Sequence, residues 1–372
     1  MALIRAGTMV LDGQVRRPGW LQTCGAQISA SGTGAPPRPV DRDFPDCTVV
    51  PGFIDMHVHG GGGASYTDRD GIAAAAEFHL RHGTTTTLAS LVTASPEQLL
   101  AGVRALAEAS RHGTIAGIHL EGPWLSRARC GAHDRTQMRD PDRAEIDAVL
   151  DAAGGAIRMV TLAPELPGAD EAIRRFLDAG VVVALGHTDA TYEQTQRAIA
   201  LGATVGTHLF NAMPPLHHRE PGPALALLRE PRVTVEMIAD GVHVHPAMLR
   251  AVIDAAGADR VAVVTDAIAA AGCTDGAFRL GAVPIDVVFG VARVRGTSTI
   301  AGSTATMDQL FGNLTEFAGL LVAVQTTATT PARTLGLPDV GSLRAGYRAN
   351  LVVLDRDLQV EAIMAQGDWL AI

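Results

Sequence analysis

The chain has 372 residues, 47% hydrophobic and 19% charged, which is enough for the core of a barrel-sized domain. Its net charge of −9 and pI near 5.8 argue against nucleic acid or an acidic membrane surface as partner. All thirty basic residues are arginine, so no Schiff-base, P-loop or carbamylated metal-bridging lysine is available.

The chain starts MALIRAGTMVLDGQV, without the basic start and long apolar core of a signal peptide, and no later apolar run is long enough to span a bilayer. The expected compartment is the cytoplasm. Cys24, Cys47, Cys130 and Cys273 form no CxxC pair, which suits a reducing compartment and argues against thiolate zinc. Residues 1–50 read as short strands at 2–5, 14–16, 20–29 and 48–50, with a Gly- and Pro-rich loop at 31–39.

From residue 49 the pattern changes to apolar strands alternating with amphipathic helices. Strands are expected at 49–59, 84–91, 114–122, 157–164, 181–186, 203–210, 233–239 and 261–265. Helices are expected at 71–81, 96–111, 142–153, 169–179, 192–201, 223–229 and 246–256. Ser95-Pro96-Glu97 and Asp140-Pro141 read as helix starts; Ala179-Gly180 and Leu201-Gly202 read as stops. Eight strand–helix units over roughly 250 residues suggest a (β/α)8 barrel. An open doubly wound sheet is the alternative, but no GxGxxG follows the first strand. Beyond the eighth strand, 278–299 reads as a hairpin insertion, 303–324 as the last barrel helix and 331–335 as a helical turn. Strand character returns at 343–355 and 360–365, where the chain can complete the β-unit begun at its start.

Barrel sites form at the C-terminal ends of the strands. In PGFIDMHVHGGGG, His57 and His59 lie two residues apart, so both face one side of the first strand. The glycines that follow are expected to keep the mouth open. The other strand ends carry Glu121 in HLEGPW, His187 in LGHTD, His208 in THLFNAMP and Asp266 in VVTDA. Any one of these could be a capping acid or a satisfied core histidine. Together they make an imidazole and carboxylate set suited to divalent zinc or iron. Such an ion makes hydroxide available at neutral pH, and Asp266 is the expected general base.

The segments HLEGPW, LGHT, THLFNAMPP, REPG, ADGVHV, VTDA and AGS resemble, in order and spacing, those of the N-acetylglucosamine-6-phosphate deacetylases of the amidohydrolase superfamily. The resemblance runs from about residue 2 to residue 368. It implies an α/β fold: a (β/α)8 TIM-like barrel over 51–344 and a small β-sandwich from 1–50 and 345–372. It implies hydrolysis of the N-acetyl group of N-acetyl-D-glucosamine 6-phosphate, and usually a homodimer. Glu121, His187 and His208 match the principal metal ligands, Asp266 the catalytic aspartate, and His133 in CGAHD the histidine that polarises the amide carbonyl. Asn211, Ala212, Arg219 and His243 match substrate-binding positions, with Ala301, Gly302 and Ser303 expected in the same pocket. In this family the phosphate arginine can come from the neighbouring subunit, so Arg219 is expected to act across the interface. With both histidines of the HxH present, one or two ions per subunit are expected, with Glu121 bridging, His57 and His59 on one ion, and His187 and His208 on the other.

The competing readings are a related N-acetyl amino sugar such as galactosamine 6-phosphate, a cyclic amidase, a nucleobase deaminase, and a binding protein that kept the fold. Cys130 reads as an incidental loop cysteine. His217 and His218 are expected at the pocket rim, and His79, His82 and His112 at the surface.

Overall fold

The structure is a computed structural model that describes residues 1–371. Eight parallel strands form the barrel: β1 Phe53–Val58, β2 Thr84–Leu91, β3 Gly117–Glu121, β4 Ile157–Leu162, β5 Val182–Leu185, β6 Val205–Gly206, β7 Thr234–Met237 and β8 Val261–Val263. They pair in sequence order from β1 to β8. The ring is drawn together just past β8, where the Asp266 N–H donates to the His57 carbonyl (2.9 Å) and the His59 N–H to the Ala267 carbonyl (2.8 Å). Residues expected to carry chemistry therefore also carry the closure.

Helices follow the strands where the sequence places them. The Pro96–Arg111 helix starts at Ser95, which forms a capping box with Gln98. The Arg143–Ala153 helix is capped by Asp142, two residues beyond the Asp140 expected from sequence, and ends at Gly154 with φ 54°. His79 is buried, not at the surface, because it shares the inner face of its helix with Ala75 and Ala76. His82 bonds to Asp308 at 3.0 Å, and His112 is exposed.

The strand expected over 49–59 is two strands. The strand Arg42–Pro51 pairs through Val49, Val50 and Pro51 with Leu351–Leu354, whereas Phe53–Val58 belongs to the barrel. Gly52 makes the break, since a Cβ there would lie 2.2 Å from Thr85 Oγ1. Likewise 20–29 is a hairpin, Gly19–Cys24 and Gln27–Thr33, turning at Gly25 with φ 56°.

Both chain ends build one further sheet of eight strands, in which Leu351–Leu354, Arg42–Pro51 and Ala2–Leu11 are neighbours. Ile4, Leu21, Ile28, Val49, Leu351 and Met364 share its core. At its edge, Ile28 exchanges backbone bonds with Tyr347 (2.8 Å) and Gly346 (2.9 Å), so the sheet curves round that core. Expected strand 343–355 is shorter, Leu351–Leu354, and expected helix 303–324 starts only at Met307 and is interrupted after Ala318. The chain divides into two compact units, Met56–Phe78 with Thr87–Thr306, and the remainder. Among the described residues no helix is long and apolar enough to cross a membrane.

Between β8 and the Met307–Ala318 helix lies a three-stranded antiparallel sheet, Gly276–Leu280, Val283–Val288 and Val291–Val294. Its Leu280, Ile285 and Ala292 pack with Val92, Ala132 and Ile268. That packing holds the insertion against loops at the strand ends and gives the barrel mouth one wall.

Candidate metal centre

The side chains expected at the strand ends do converge. Three of them sit where the chain turns sharply out of a strand: His187, His208 and Asp266 have φ of 46°, 24° and 48°. Non-glycine residues in this region carry strain, so neighbouring bonds must hold them there. The His187 carbonyl accepts from Ser126 N–H (2.9 Å), the Glu236 carbonyl accepts from Leu209 N–H (2.8 Å), and Asp266 N–H is held by His57.

Glu121 is the centre of the cluster. Its Oε1 lies 3.1 Å from His187 Nε2, 3.0 Å from His208 Nε2 and 3.4 Å from His57 Nε2. Its Oε2 lies 3.2 Å from His59 Nε2 and 3.1 Å from His133 Nε2. Asp266 Oδ1 reaches His57 and His59 at 3.4 and 3.1 Å. The facing ring nitrogens are equally close: 3.2 Å for His57 and His59, 3.1 Å for His187 and His208. Tetrahedral zinc with bonds of about 2.0–2.1 Å sets its ligand atoms about 3.3 Å apart. The donor set and its spacing therefore fit divalent metal in two half-sites that share Glu121, one with His57, His59 and Asp266 and one with His187, where His133 and His208 both stand close to Glu121.

Tautomers support this. His187 Nδ1 lies 2.9 Å from the Arg129 carbonyl, which only accepts, so Nδ1 carries the proton and Nε2 presents its lone pair. His57 Nδ1 is fixed in the same way by the Glu236 carboxylate at 3.1 Å. Beneath the cluster a buried chain runs from Ser90 through His119 and Thr161 to Thr207, with links of 2.9, 2.9 and 2.8 Å. Burial, and then His57, hold the His119 ring neutral, well below the usual histidine range.

Charge in the centre is balanced internally. Burial disfavours the charged form of each member, but the partners outweigh it. Glu121 stays well below the ordinary carboxylate range beside His57, His133 and His187, and Asp266 is lowered by His57 and His59. Against the same opposition from burial, the carboxylates raise His57 well above its ordinary value and His59 to about 9. The carboxylates favour positive charge at this position, and a divalent ion bound there would supply it in place of protons on the imidazoles. His133 differs: burial pulls it down to about 4, and Thr93 N–H donates to its Nδ1 (3.2 Å), so the neutral ring carries its proton on Nε2.

A pocket of about 400 Å³, ample for a monosaccharide phosphate, opens over the cluster. Of the expected residues, His59, Glu121, His133, His187, His208, Asn211, Ala212, His243, Asp266 and Gly302 line it. His57 is fully buried below. Ala301 and Ser303 do not line the pocket. The backbone turns at Gly302, with φ 62°, so Ile300 and Gly302 line the pocket while Ser303 bonds back to Asp266 and Ile268. Arg219 is exposed and outside the pocket wall of its own chain, as are His217 and His218. Cys130 is half-buried and outside the wall as well.

Nor do Gly60–Gly63 line it. Gly60–Gly61 pairs with Ala64–Ser65, and a Cβ on Gly60 would lie 2.3 Å from the Ala64 carbonyl oxygen. These glycines make a tight backbone turn and not an open mouth.

Sequence reasoning missed several residues. Arg129 and Leu280 line the pocket, as do Ser298 and Ile300 beyond the three-stranded insertion. Asp240 Oδ2 lies 2.7 Å from His243 Nδ1 and holds that ring; His243 in turn holds the Asp240 carboxyl below its ordinary value against the effect of burial. Thr93 and Glu236 are buried behind the site. The available signals were Glu236, an acid in the apolar strand VTVEMIA, and Asp240, three residues before His243 in ADGVHV.

Comparison with known proteins agrees with this geometry. The amidohydrolase family model matches residues 48–370. The chain is 54% identical to an aspartate-to-alanine mutant of N-acetyl-D-glucosamine-6-phosphate deacetylase from Mycobacterium smegmatis, solved in complex with N-acetyl-D-glucosamine-6-phosphate. That match covers 100% of this chain and 99% of the other, with a TM-score of 0.98. An N-acetylgalactosamine-6-phosphate deacetylase of Escherichia coli O157:H7 is 36% identical over 94% of this chain and 95% of its own length. The N-acetylglucosamine-6-phosphate deacetylase of Bos taurus is 37% identical over 88% and 84%. The chain belongs to the amidohydrolase family, on the branch that holds the N-acetylglucosamine-6-phosphate deacetylases.

Proposed function

We propose that this enzyme hydrolyses the N-acetyl group of N-acetyl-D-glucosamine 6-phosphate, giving D-glucosamine 6-phosphate and acetate, in amino-sugar catabolism or cell-wall recycling. The observation that carries the reading is that Asp266 and the Nε2 of His133 face one pocket over the Glu121-centred cluster. A divalent ion such as zinc or iron held there, one or two per chain, supplies a Lewis acid and acidifies water toward neutral pH. Asp266, as a carboxylate, accepts the proton of the attacking water. The His133 Nε2–H donates to the acetyl oxygen as negative charge develops on it. When the C–N bond breaks, Asp266 returns its proton to the amine nitrogen. Asn211, Ala212 and Gly302 border the sugar, and His243, braced by Asp240, faces its phosphate.

Metal-loaded protein is expected to release acetate, and no ammonia, from N-acetylglucosamine 6-phosphate and far less from the unphosphorylated sugar. Ammonia release, or no release from any phosphorylated N-acetyl amino sugar, would refute the reading. The Escherichia coli relative favours N-acetylgalactosamine 6-phosphate as a second substrate, and the same assay compares the two epimers.

The active form in this reading is a homodimer in which Arg219 reaches the phosphate in the neighbouring subunit. Arginine forks bind phosphate well, yet Arg219 is exposed outside its own pocket. Leu216, three residues before Arg219, and Val242, next to His243, are 45% and 44% exposed, which suits apolar cover at an interface. Arg219→Ala and Asp266→Asn should each be defective alone. Subunit exchange between them should restore activity, because one mixed site then has both residues. No recovery in a verified heterodimer counts against action in trans.

A further inference from the structure

Glu236 on β7 has no place in the reaction as described, yet it reaches both halves of the metal centre. Its side chain is fully buried and absent from the pocket wall. Its Oε2 lies 3.1 Å from His57 Nδ1 and accepts from the His208 backbone N–H at 3.2 Å. Its own carbonyl accepts from the next N–H, that of Leu209, at 2.8 Å. Two bonds from one residue thus pin the turn in which His208 is held at φ 24°, and that turn aims His208 Nε2 at Glu121, 3.0 Å away. A third bond sets the tautomer of His57.

Each half-site has one imidazole braced through Nδ1. His187 leans on the Arg129 carbonyl and His57 on the Glu236 carboxylate. The Nδ1 atoms of His59 and His208 have no hydrogen-bond partner among the described residues. A carboxylate brace fixes the ring and also makes it a stronger donor. A buried acid is costly unless such contacts compensate it, and filling space in β7 does not require a charge.

We propose that Glu236 is a positioning residue that commits the His57–His59 half-site to a metal ion, so that the working enzyme holds two ions, while its grip on His208 aligns the other half. The proposal rests on the metal-dependent reading above. It makes Glu236→Gln and Glu236→Ala different. Glutamine keeps a neutral oxygen for both N–H groups and loses the charge; alanine loses every side-chain contact.

The test is cobalt(II) titration of metal-free protein, followed by its visible spectrum and by bound metal per chain. Wild type should bind two equivalents. Glu236→Gln should weaken one of them by about 10–100-fold, the usual loss for a partner behind a metal ligand. Glu236→Ala should weaken both and change the cobalt spectrum. In both variants kcat should fall more than KM rises, since Glu236 does not border substrate. A single equivalent in active wild type overturns the proposal, as does wild-type affinity for both ions in Glu236→Gln. If Glu236→Ala fails to fold, the glutamine variant decides alone. Failure of the deacetylase reading is seen separately, as absence of acetate release from fully loaded wild type.

Discussion

Asp266→Asn should lower kcat by roughly 10²–10⁴-fold, the usual contribution of a positioned acid–base group. Asparagine has the same shape and keeps an oxygen where Asp266 Oδ1 lies, 3.1 Å from His59 and 3.4 Å from His57. It cannot take a proton from water or return one to the amine. Substrate affinity, read by calorimetry on the inactive protein, should therefore stay close to wild type. Because Asp266 also touches the His57–His59 half-site, metal content must be measured on the same sample. Full metal with lost turnover identifies a proton-transfer role; acetate release near the wild-type rate would remove Asp266 from it.

Glu121→Gln should act on metal binding itself. Five imidazoles lie within 3.4 Å of this carboxylate, and both half-sites share it. Glutamine replaces one acceptor oxygen by an NH₂ group, which turns hydrogens toward the ring nitrogens of one half-site. Affinity should fall by more than the ~10–100-fold typical of partners one layer further out, and for both equivalents. Stability should fall too, because removing one partner of a buried ionic cluster costs about 3–5 kcal/mol. Metal analysis after dialysis and thermal unfolding in chelator check the two effects. Two ions retained at wild-type affinity would show that Glu121 does not bridge.

Much of the fold and site was legible because both are periodic. A strand–helix alternation gives a barrel, barrel chemistry collects at strand ends, and the six expected metal-facing residues occupy those ends. Misses occurred where periodicity carries no information. A single apolar run at 49–59 cannot show that Gly52 divides it between two sheets; that depends on Thr85 and Leu351–Leu354, distant in sequence. The segment 301–303 was assigned to the pocket as a block, although a turn at Gly302, with φ 62°, presents only that residue to it. Thr93 and Glu236 act on His133 and His57, 40 and 179 positions away, so no local spacing marks them, whereas Asp240 stands only three residues before His243.

The residue types, their order and their placement at strand ends were set by the sequence alone, and with them a metal-dependent hydrolase of the barrel type. Tertiary structure decided which nitrogen of each imidazole faces the centre, which residues stand behind it, and where the pocket wall runs. The physical reason is one of range. Alternation along a strand sets which face a side chain takes, over a few residues. A tautomer is set by the acceptor opposite the ring, and for His57 that acceptor lies 179 positions further along the chain.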